Sequence, residues 1–324
     1  MNIEVLSGKK ITVAGASGFI GQNLVQRLRS LGAQVKAVSR EPYSGDRLAG
    51  VDYITADLMT QEGARTAAQG SEVFVMAAAA SSGAAVMANS PLAHLVPNVV
   101  MNALTLEAAM QAGVEQYCFL SSNTVYPPGD NAMSEPDATG EFFSTYEVVA
   151  GMKFFSEKMA EFFSTKAHYP MRVLIARPGN LYGPHDKFAD GKSKVIPALI
   201  KRAVNKENPF TVWGDGQDIK DFLYIDDFIE ALVRALALES KFEVLNIASG
   251  KSVRLQEVIE AILQLSGNSH AEVNYDESKP SMIPVRHIDI SLAKEKLGWV
   301  PQVDLETGLA RTIEWYTSSS RREN

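Results

Sequence analysis

Short apolar runs punctuate the first half of the chain: Ile11 to Ala14, Val35 to Val38, Val73 to Met76, Tyr117 to Leu120 and Arg172 to Ala176. Each is apolar nearly throughout rather than alternating, which fits a strand buried on both faces of a parallel sheet. Between them lie longer stretches with apolar residues at helical spacing, Phe19 to Leu31 among them, long enough for the crossovers that parallel strands require. The segments from about Ala93 to Ala112 and from Tyr146 to Phe163 read as long helices rich in Ala, Met, Leu and Phe, expected to cover the sheet and to offer a face to a second subunit. This alternation predicts an α/β fold with a doubly wound parallel sheet. After Arg177 it loosens into Gly/Pro punctuation and shorter elements, the pattern of a smaller C-terminal lobe.

Composition narrows the picture. At 324 residues and 46% hydrophobic, the chain can bury a large core. Its formal net charge of -7 argues against a surface that tracks phosphates by bulk charge, so nucleic acid is not an expected partner. The single cysteine, Cys118, lies in an apolar run and is expected to be a buried thiol, which leaves no disulfide framework. The first ten residues lack a basic start followed by an apolar stretch, and no segment approaches the roughly 20 apolar residues that span a bilayer. A cytoplasmic protein without membrane or metal sites is the expectation.

Chemistry enters at Gly15-Ala16-Ser17-Gly18-Phe19-Ile20-Gly21, which follows the first apolar run directly and opens a helix. Glycines at this spacing permit a tight turn and close backbone approach to a pyrophosphate, and the helix N-terminus then offers unpaired N–H groups to the phosphates. A Rossmann-like dinucleotide-binding domain is predicted for residues 1–178 plus 223–248, with a substrate-binding lobe formed by 179–222 plus 249–324. At the end of the second strand an acidic residue would hold the ribose hydroxyls of NAD, but the chain has Ser39-Arg40. A hydroxyl and a guanidinium suit a 2′-phosphate, so NADP is favoured and NAD remains possible. Asp57 and Leu58 follow the third strand, where the carboxylate either approaches the adenine or caps a helix.

Further strings carry a resemblance. Ser121-Ser122-Asn123-Thr124-Val125-Tyr126, Arg177-Pro178-Gly179-Asn180-Leu181-Tyr182-Gly183-Pro184, Lys220-Asp221-Phe222-Leu223-Tyr224-Ile225-Asp226-Asp227, Asn246-Ile247-Ala248-Ser249-Gly250 and Leu297-Gly298-Trp299 resemble, in order and spacing, the extended short-chain dehydrogenase/reductases, the NAD-dependent epimerase/dehydratase family. The resemblance covers essentially the whole chain. Tyr182-Gly183-Pro184-His185-Asp186 with Ser193-Lys194-Val195-Ile196-Pro197 is most similar to the GDP-fucose synthases, which epimerise and then reduce a GDP-4-keto-6-deoxy sugar. The resemblance implies a homodimeric, NADP-dependent nucleotide-sugar reductase or epimerase/reductase. It implies that Ser122 orients the substrate carbonyl, that Lys153 binds the nicotinamide ribose and acidifies a donor, and that His185 moves protons beside the ketone. It further places Ala77, Ala78 and Ala79 along the cofactor, and Asn180, Lys194, Val195, Lys220 and Arg286 on the nucleotide sugar.

Departures from the pattern matter as much. The family's Tyr-x-x-x-Lys puts phenol and ammonium on one helical face a turn apart. Here Lys153 is preceded at that position by Val149, and Tyr146 stands two turns away. Tyr146 is the available donor by sequence; another register leaves both positions unfilled. Thr124 stands where the fucose synthases have a cysteine believed to act as epimerisation base, and an alcohol is far too weak an acid to replace a thiol. Three readings stay open: the reductase, a 4-epimerase that retains NAD(P), and a catalytically silent NADP-binding protein. The sugar's nucleotide, GDP or UDP, is not read directly. Trp213 and Trp299 are expected in the core.

Overall fold

A computed structural model describes residues 2–80, 92–166, 171–189, 193–278 and 283–320. In chain order the strands are β1 (Lys10–Ala14), β2 (Gln34–Ser39), β3 (Val51–Thr55), β4 (Val73–Met76), β5 (Gln116–Leu120), β6 (Ala132–Met133), β7 (Arg172–Pro178), β8 (Asn180–Tyr182), β9 (Phe210–Trp213), β10 (Ile219–Tyr224), β11 (Phe242–Ile247), β12 (Ser252–Arg254), β13 (Val273–Asp276) and β14 (His287–Ile288). The described helices are α1 (Phe19–Ser30), α2 (Gln61–Ala68), α3 (Leu92–Gln111), α4 (Glu147–Lys166), α5 (Val195–Val204), α6 (Ile225–Leu236), α7 (Leu255–Leu265), α8 (Ser291–Leu297) and α9 (Leu305–Ser320).

Seven parallel strands form the central sheet in the order β11-β7-β5-β4-β1-β2-β3. The order reverses between β1 and β4, and the carboxyl ends of those strands open the crevice where ligands of doubly wound sheets bind. The apolar runs are continuous because both faces are covered. Ile11, Val13, Val73, Val75 and Cys118 enter one buried cluster, while Ala14, Phe74, Met76, Tyr117 and Phe119 enter the other. The first cluster runs on through Phe210, Ile259 and Trp299, so one core joins the central sheet to the C-terminal elements.

The remaining strands form small sheets, β12-β10-β8, β13-β9 and β14-β6. β10 crosses the lobe boundary expected at residue 222 and belongs entirely to the three-stranded sheet. Cys118 is buried and free of disulfides. Trp299 is buried, but Trp213, expected in the core, is 52% exposed, because it stands at the end of the small two-stranded β13-β9 ribbon rather than in the central sheet. Among the described residues no helix is long and apolar enough to cross a membrane.

Candidate active site

The turn after β1 is shaped by what it touches. Gly15 adopts φ +84, and a Cβ there would lie 2.6 Å from the backbone nitrogen of Ala78; a Cβ on Gly21 would lie 2.1 Å from the Gly15 carbonyl oxygen. The strand end, the first turn of α1 and the Ala77–Ala79 segment therefore meet backbone to backbone, at a closeness only glycine allows. Gly18 is the N-cap of α1 and no side chain caps it, so the helix presents unpaired N–H groups beside exposed Ser17, with Phe19 and Ile20 packed beneath. These features fit a nicotinamide dinucleotide whose pyrophosphate rests on the α1 N-terminus. Asn98 of α3 holds the next residue in both directions: its Oδ1 accepts from Ala80 N at 2.9 Å and its Nδ2 donates to Ala80 O at 3.0 Å.

At the end of β2, Ser39 is buried and donates to Glu41 O at 2.7 Å. Arg40 is 77% exposed and lies a loose 3.7 Å from Glu41. A cavity of about 250 Å³ opens here between Ser17 and Gln22 on one side and Glu41 to Gly45 on the other. Asp57 turns the chain toward α2 by accepting from Met59 N at 3.0 Å, while Thr60 provides the helix cap; Leu58 is buried.

The chemical centre forms at the end of β5. Ser122 starts a short 3-10 turn over Asn123–Val125, and its Oγ accepts from Thr124 N at 3.2 Å and Thr124 Oγ1 at 3.0 Å. With those acceptances made, the Ser122 O–H is left to donate. Helix α4 packs on this turn and brings Lys153 to β5, where Nζ donates to Leu120 O at 2.7 Å and lies 4.8 Å from the Phe119 ring centroid. Burial pushes the Lys153 pKa down to about 8, opposed by the nearby Glu157 carboxylate. One turn later Glu157 is 3% exposed, paired with Arg177 of β7 at 2.6 and 3.0 Å and accepting from Ser121. This buried pair fixes α4 against β5 and β7.

Two further sequence candidates lie on neighbouring segments. Tyr146 closes a 3-10 turn ahead of α4, because the helix begins at Glu147, and burial raises its phenol above the usual range. His185 adopts φ +69 in the loop after β8, and its ring lies 5.2 Å from that of Trp315 in α9, with burial lowering the imidazole pKa.

Two other cations do converge. Arg286 is 1% exposed, and its described partners are carbonyls, Pro127 O at 3.0 Å and Tyr126 O at 3.2 Å, with Nε unpartnered. Burial drives its pKa down to about 10. Burial lowers the Lys220 pKa, with the Arg286 charge adding to it and the Asp218 carboxylate opposing, and Lys220 Nζ donates to Asp218 at 2.8 Å and to Ile283 O. Arg286 thus stands against the loop that begins at Ser122, and Lys220, one residue after the Ile219 carbonyl that Arg286 N bonds, lies near it. Asn180 donates to Asp221 O at 2.9 Å. Lys194 precedes α5, whose first residue is exposed Val195, and Lys194 Nζ lies 5.8 Å from the Phe19 ring centroid.

The sequence reading passed over Asn98 and Asp186. Asp186 is 8% exposed with Oδ2 unpartnered, and burial raises its carboxyl against the charge of Lys194. Asn98 left one signal, a His94/Asn98/Asn102 series one turn apart on one face of a largely apolar helix.

Residues 11–248 match the sequence profile of the NAD dependent epimerase/dehydratase family. A GDP-L-fucose synthase of Sinorhizobium fredii is 30% identical over 325 residues, 98% of this chain and 99% of that protein. Among solved structures, UDP-glucose 4-epimerase of Thermotoga maritima with UDP-glucose superposes with a TM-score of 0.85 at 25% identity, covering 96% of this chain and 99% of that one. MoeE5 in complex with UDP-glucuronic acid and NAD gives a TM-score of 0.84 at 28% identity over 96% of this chain and 100% of that one. By sequence profile and by architecture, the chain belongs to the NAD dependent epimerase/dehydratase family, whose members are NAD(P)-dependent enzymes of nucleotide sugars.

Proposed function

We propose that this chain is an NADP-dependent reductase, or epimerase/reductase, of a GDP-linked 4-keto-6-deoxy sugar. The observation that carries the reading is Arg286: a fully buried guanidinium with an unpartnered Nε, beside Lys220 and bonded to the carbonyls of the very loop that Ser122 opens. A diphosphate held by Arg286 and Lys220 carries its sugar toward Ser122 and Lys153. Ser122 then donates to the keto oxygen, and the residues from Gly15 to Gly21, Ala77 to Ala79 and Arg40 hold the dinucleotide. When bound in reduced form, that cofactor supplies hydride to the carbonyl carbon. Exposed Arg40 beside the β2 cavity favours NADP over NAD. Asn180, Lys194 and Val195 border the nucleotide-sugar side in this reading.

Thr124 bears on epimerisation. Its hydroxyl donates to Ser122, so it supports the carbonyl-orienting serine rather than acting as a base. Leu92 and Val96 of α3 and Phe155 and Phe162 of α4 are exposed large apolar side chains on adjacent helices, and a second copy of the chain is the proposed cover.

The test mixes purified protein, NADPH and GDP-4-keto-6-deoxyhexose and follows the reduced-nicotinamide absorbance. Oxidation of NADPH with one sugar product supports the reading. Intact NADPH binding without oxidation of any GDP- or UDP-linked keto sugar sinks it, and tightly copurified nicotinamide with no net turnover favours the cofactor-retaining epimerase.

A further inference from the structure

The position one helical turn before Lys153 is Val149, and Tyr126 and Tyr117 of the neighbouring strand and loop are committed elsewhere. Tyr126 donates to Asn246 and accepts from Arg177, and burial pushes its pKa up to about 12. Tyr117 is bonded to Thr105 at 2.8 Å inside the sheet. Tyr146 stands in the 3-10 turn before the helix that carries Lys153, seven residues away. The polar group that does stand at the end of β5 is the Lys153 ammonium. It has three N–H donors and one described acceptor, Leu120 O, so two donors remain for ligands. Leu120 is two residues before Ser122, and the carboxylate that acts on the amine, Glu157, is already engaged by Arg177 and Ser121.

We propose that Lys153 is itself the proton donor of the reduction, delivering an Nζ proton to the carbonyl oxygen that Ser122 orients. The inference rests on the reductase reading above. A reduced nicotinamide dinucleotide supplies the electron pair that forms the new C–H bond. The carbonyl π pair moves to oxygen, which bonds the proton leaving Nζ, and the neutral amine regains a proton from water. An ammonium titrating near neutrality is well matched to this task at physiological pH, whereas an ordinary lysine holds its proton too tightly.

The experiment exchanges the amine and follows the alkaline limb of the kcat profile. Lys153→Arg keeps the positive charge but cannot release the proton; kcat is expected to fall about a hundredfold or more while the Kd for NADPH stays within a few-fold. Lys153→Cys alkylated with 2-bromoethylamine rebuilds a more acidic amine, and the modification is selective because the one native thiol, Cys118, is buried. Turnover is expected to return with its alkaline limb moved to lower pH. Independently of turnover, the 15N signal of Lys153 Nζ in the free protein is expected to titrate near pH 8, with the assignment made from the Lys153→Arg spectrum.

Near wild-type kcat in Lys153→Arg, a rebuilt enzyme whose alkaline limb does not move, titration of Nζ in the ordinary lysine range, or loss of that limb in Tyr146→Phe overturns the inference. A wild type that reduces no keto sugar sinks the reductase reading along with it. An active wild type whose limb ignores the amine at 153 sinks the inference alone.

Discussion

Replacing Lys153 with methionine should stabilise the fold at neutral pH and lose that advantage in alkali. The side chains are similar in length, and methionine fills an irregular apolar site without charge. In the folded chain burial depresses the amine from lysine's ordinary 10.5 to about 8, a cost of about 3 kcal/mol while the ammonium persists. The lost hydrogen bond to Leu120 O takes back about 1 kcal/mol, leaving a net gain of about 2 kcal/mol. For a chain of 324 residues that raises Tm by about 3 °C. The pH course separates this cause from better packing. Below pH 8 both folded and unfolded states carry the proton, and the penalty in the wild type is fully present. Between pH 8 and 10.5 the unfolded state binds more protons than the folded state, so wild-type stability rises with pH through this group. Thermal unfolding of both proteins at matched ionic strength from pH 6 to 10 should show the variant ahead at pH 6 to 7 and level or behind by pH 10. A constant difference across that range, or a variant already less stable at pH 6, would refute the assigned cost of burying this ammonium.

Other perturbations test the remaining parts of the site. Arg40→Ser should weaken NADP binding by about ten- to a hundredfold, measured by titration, and leave NAD within a few-fold, because only the 2′-phosphate uses the guanidinium. Arg286→Met should weaken equilibrium binding of the nucleotide diphosphate at least about tenfold while NADPH affinity holds, since a charge-assisted contact of this kind is worth about 1.5–3 kcal/mol. Glu157→Gln leaves Arg177 as a buried charge without its carboxylate, and urea denaturation should record a loss of about 3–5 kcal/mol. Phe162→Glu, on the exposed face of α4, should shift sedimentation velocity from dimer to monomer without changing the circular dichroism.

The sheet was legible because its signal is local. A strand buried on both faces must be apolar along most of its length, and β4, Tyr117 to Leu120 of β5 and Val173 to Ala176 of β7 are without a break, while β1 and β2 keep apolar runs interrupted only by Thr12 and Lys36. β11 escaped because Glu243 and Asn246 interrupt it. Glu243 is satisfied by Lys296 at 2.6 Å, and Asn246 by Tyr126, Met133 O and Asp289 O, partners from 43 to 120 residues away. Tertiary satisfaction of a polar residue leaves no trace in its own neighbourhood. The glycine turn was legible for the opposite reason, since sterics at Gly15 and Gly21 exclude every other residue. Lys220 and Arg286 were named from their strings, but their mutual proximity depends on Arg286 N bonding Ile219 O, one residue before Lys220. Tyr146 hinged on where α4 starts, since the helix begins at Glu147 and the phenol stands in the 3-10 turn just before it.

Lys153 and Arg286 are the two cations whose pKa values burial depresses most in this site, and both stand where a ligand would relieve them. Each is held chiefly by carbonyl oxygens, which orient a cation but cannot neutralise it. Arg177 shows the alternative, since Glu157 and the Tyr126 hydroxyl surround it and hold its pKa above the ordinary value. Among the described residues, Arg177 and Lys220 are thus buried cations paired with a carboxylate of their own chain, whereas Lys153 and Arg286, on either side of the short loop from Ser122 to Pro127, are held by carbonyls. An unpaired buried charge is among the costliest features a domain can keep, and functional sites are where such local conflicts concentrate. A nucleotide diphosphate would complete Arg286. A substrate oxygen gaining a proton would complete Lys153, and neither role requires a phenol at position 149.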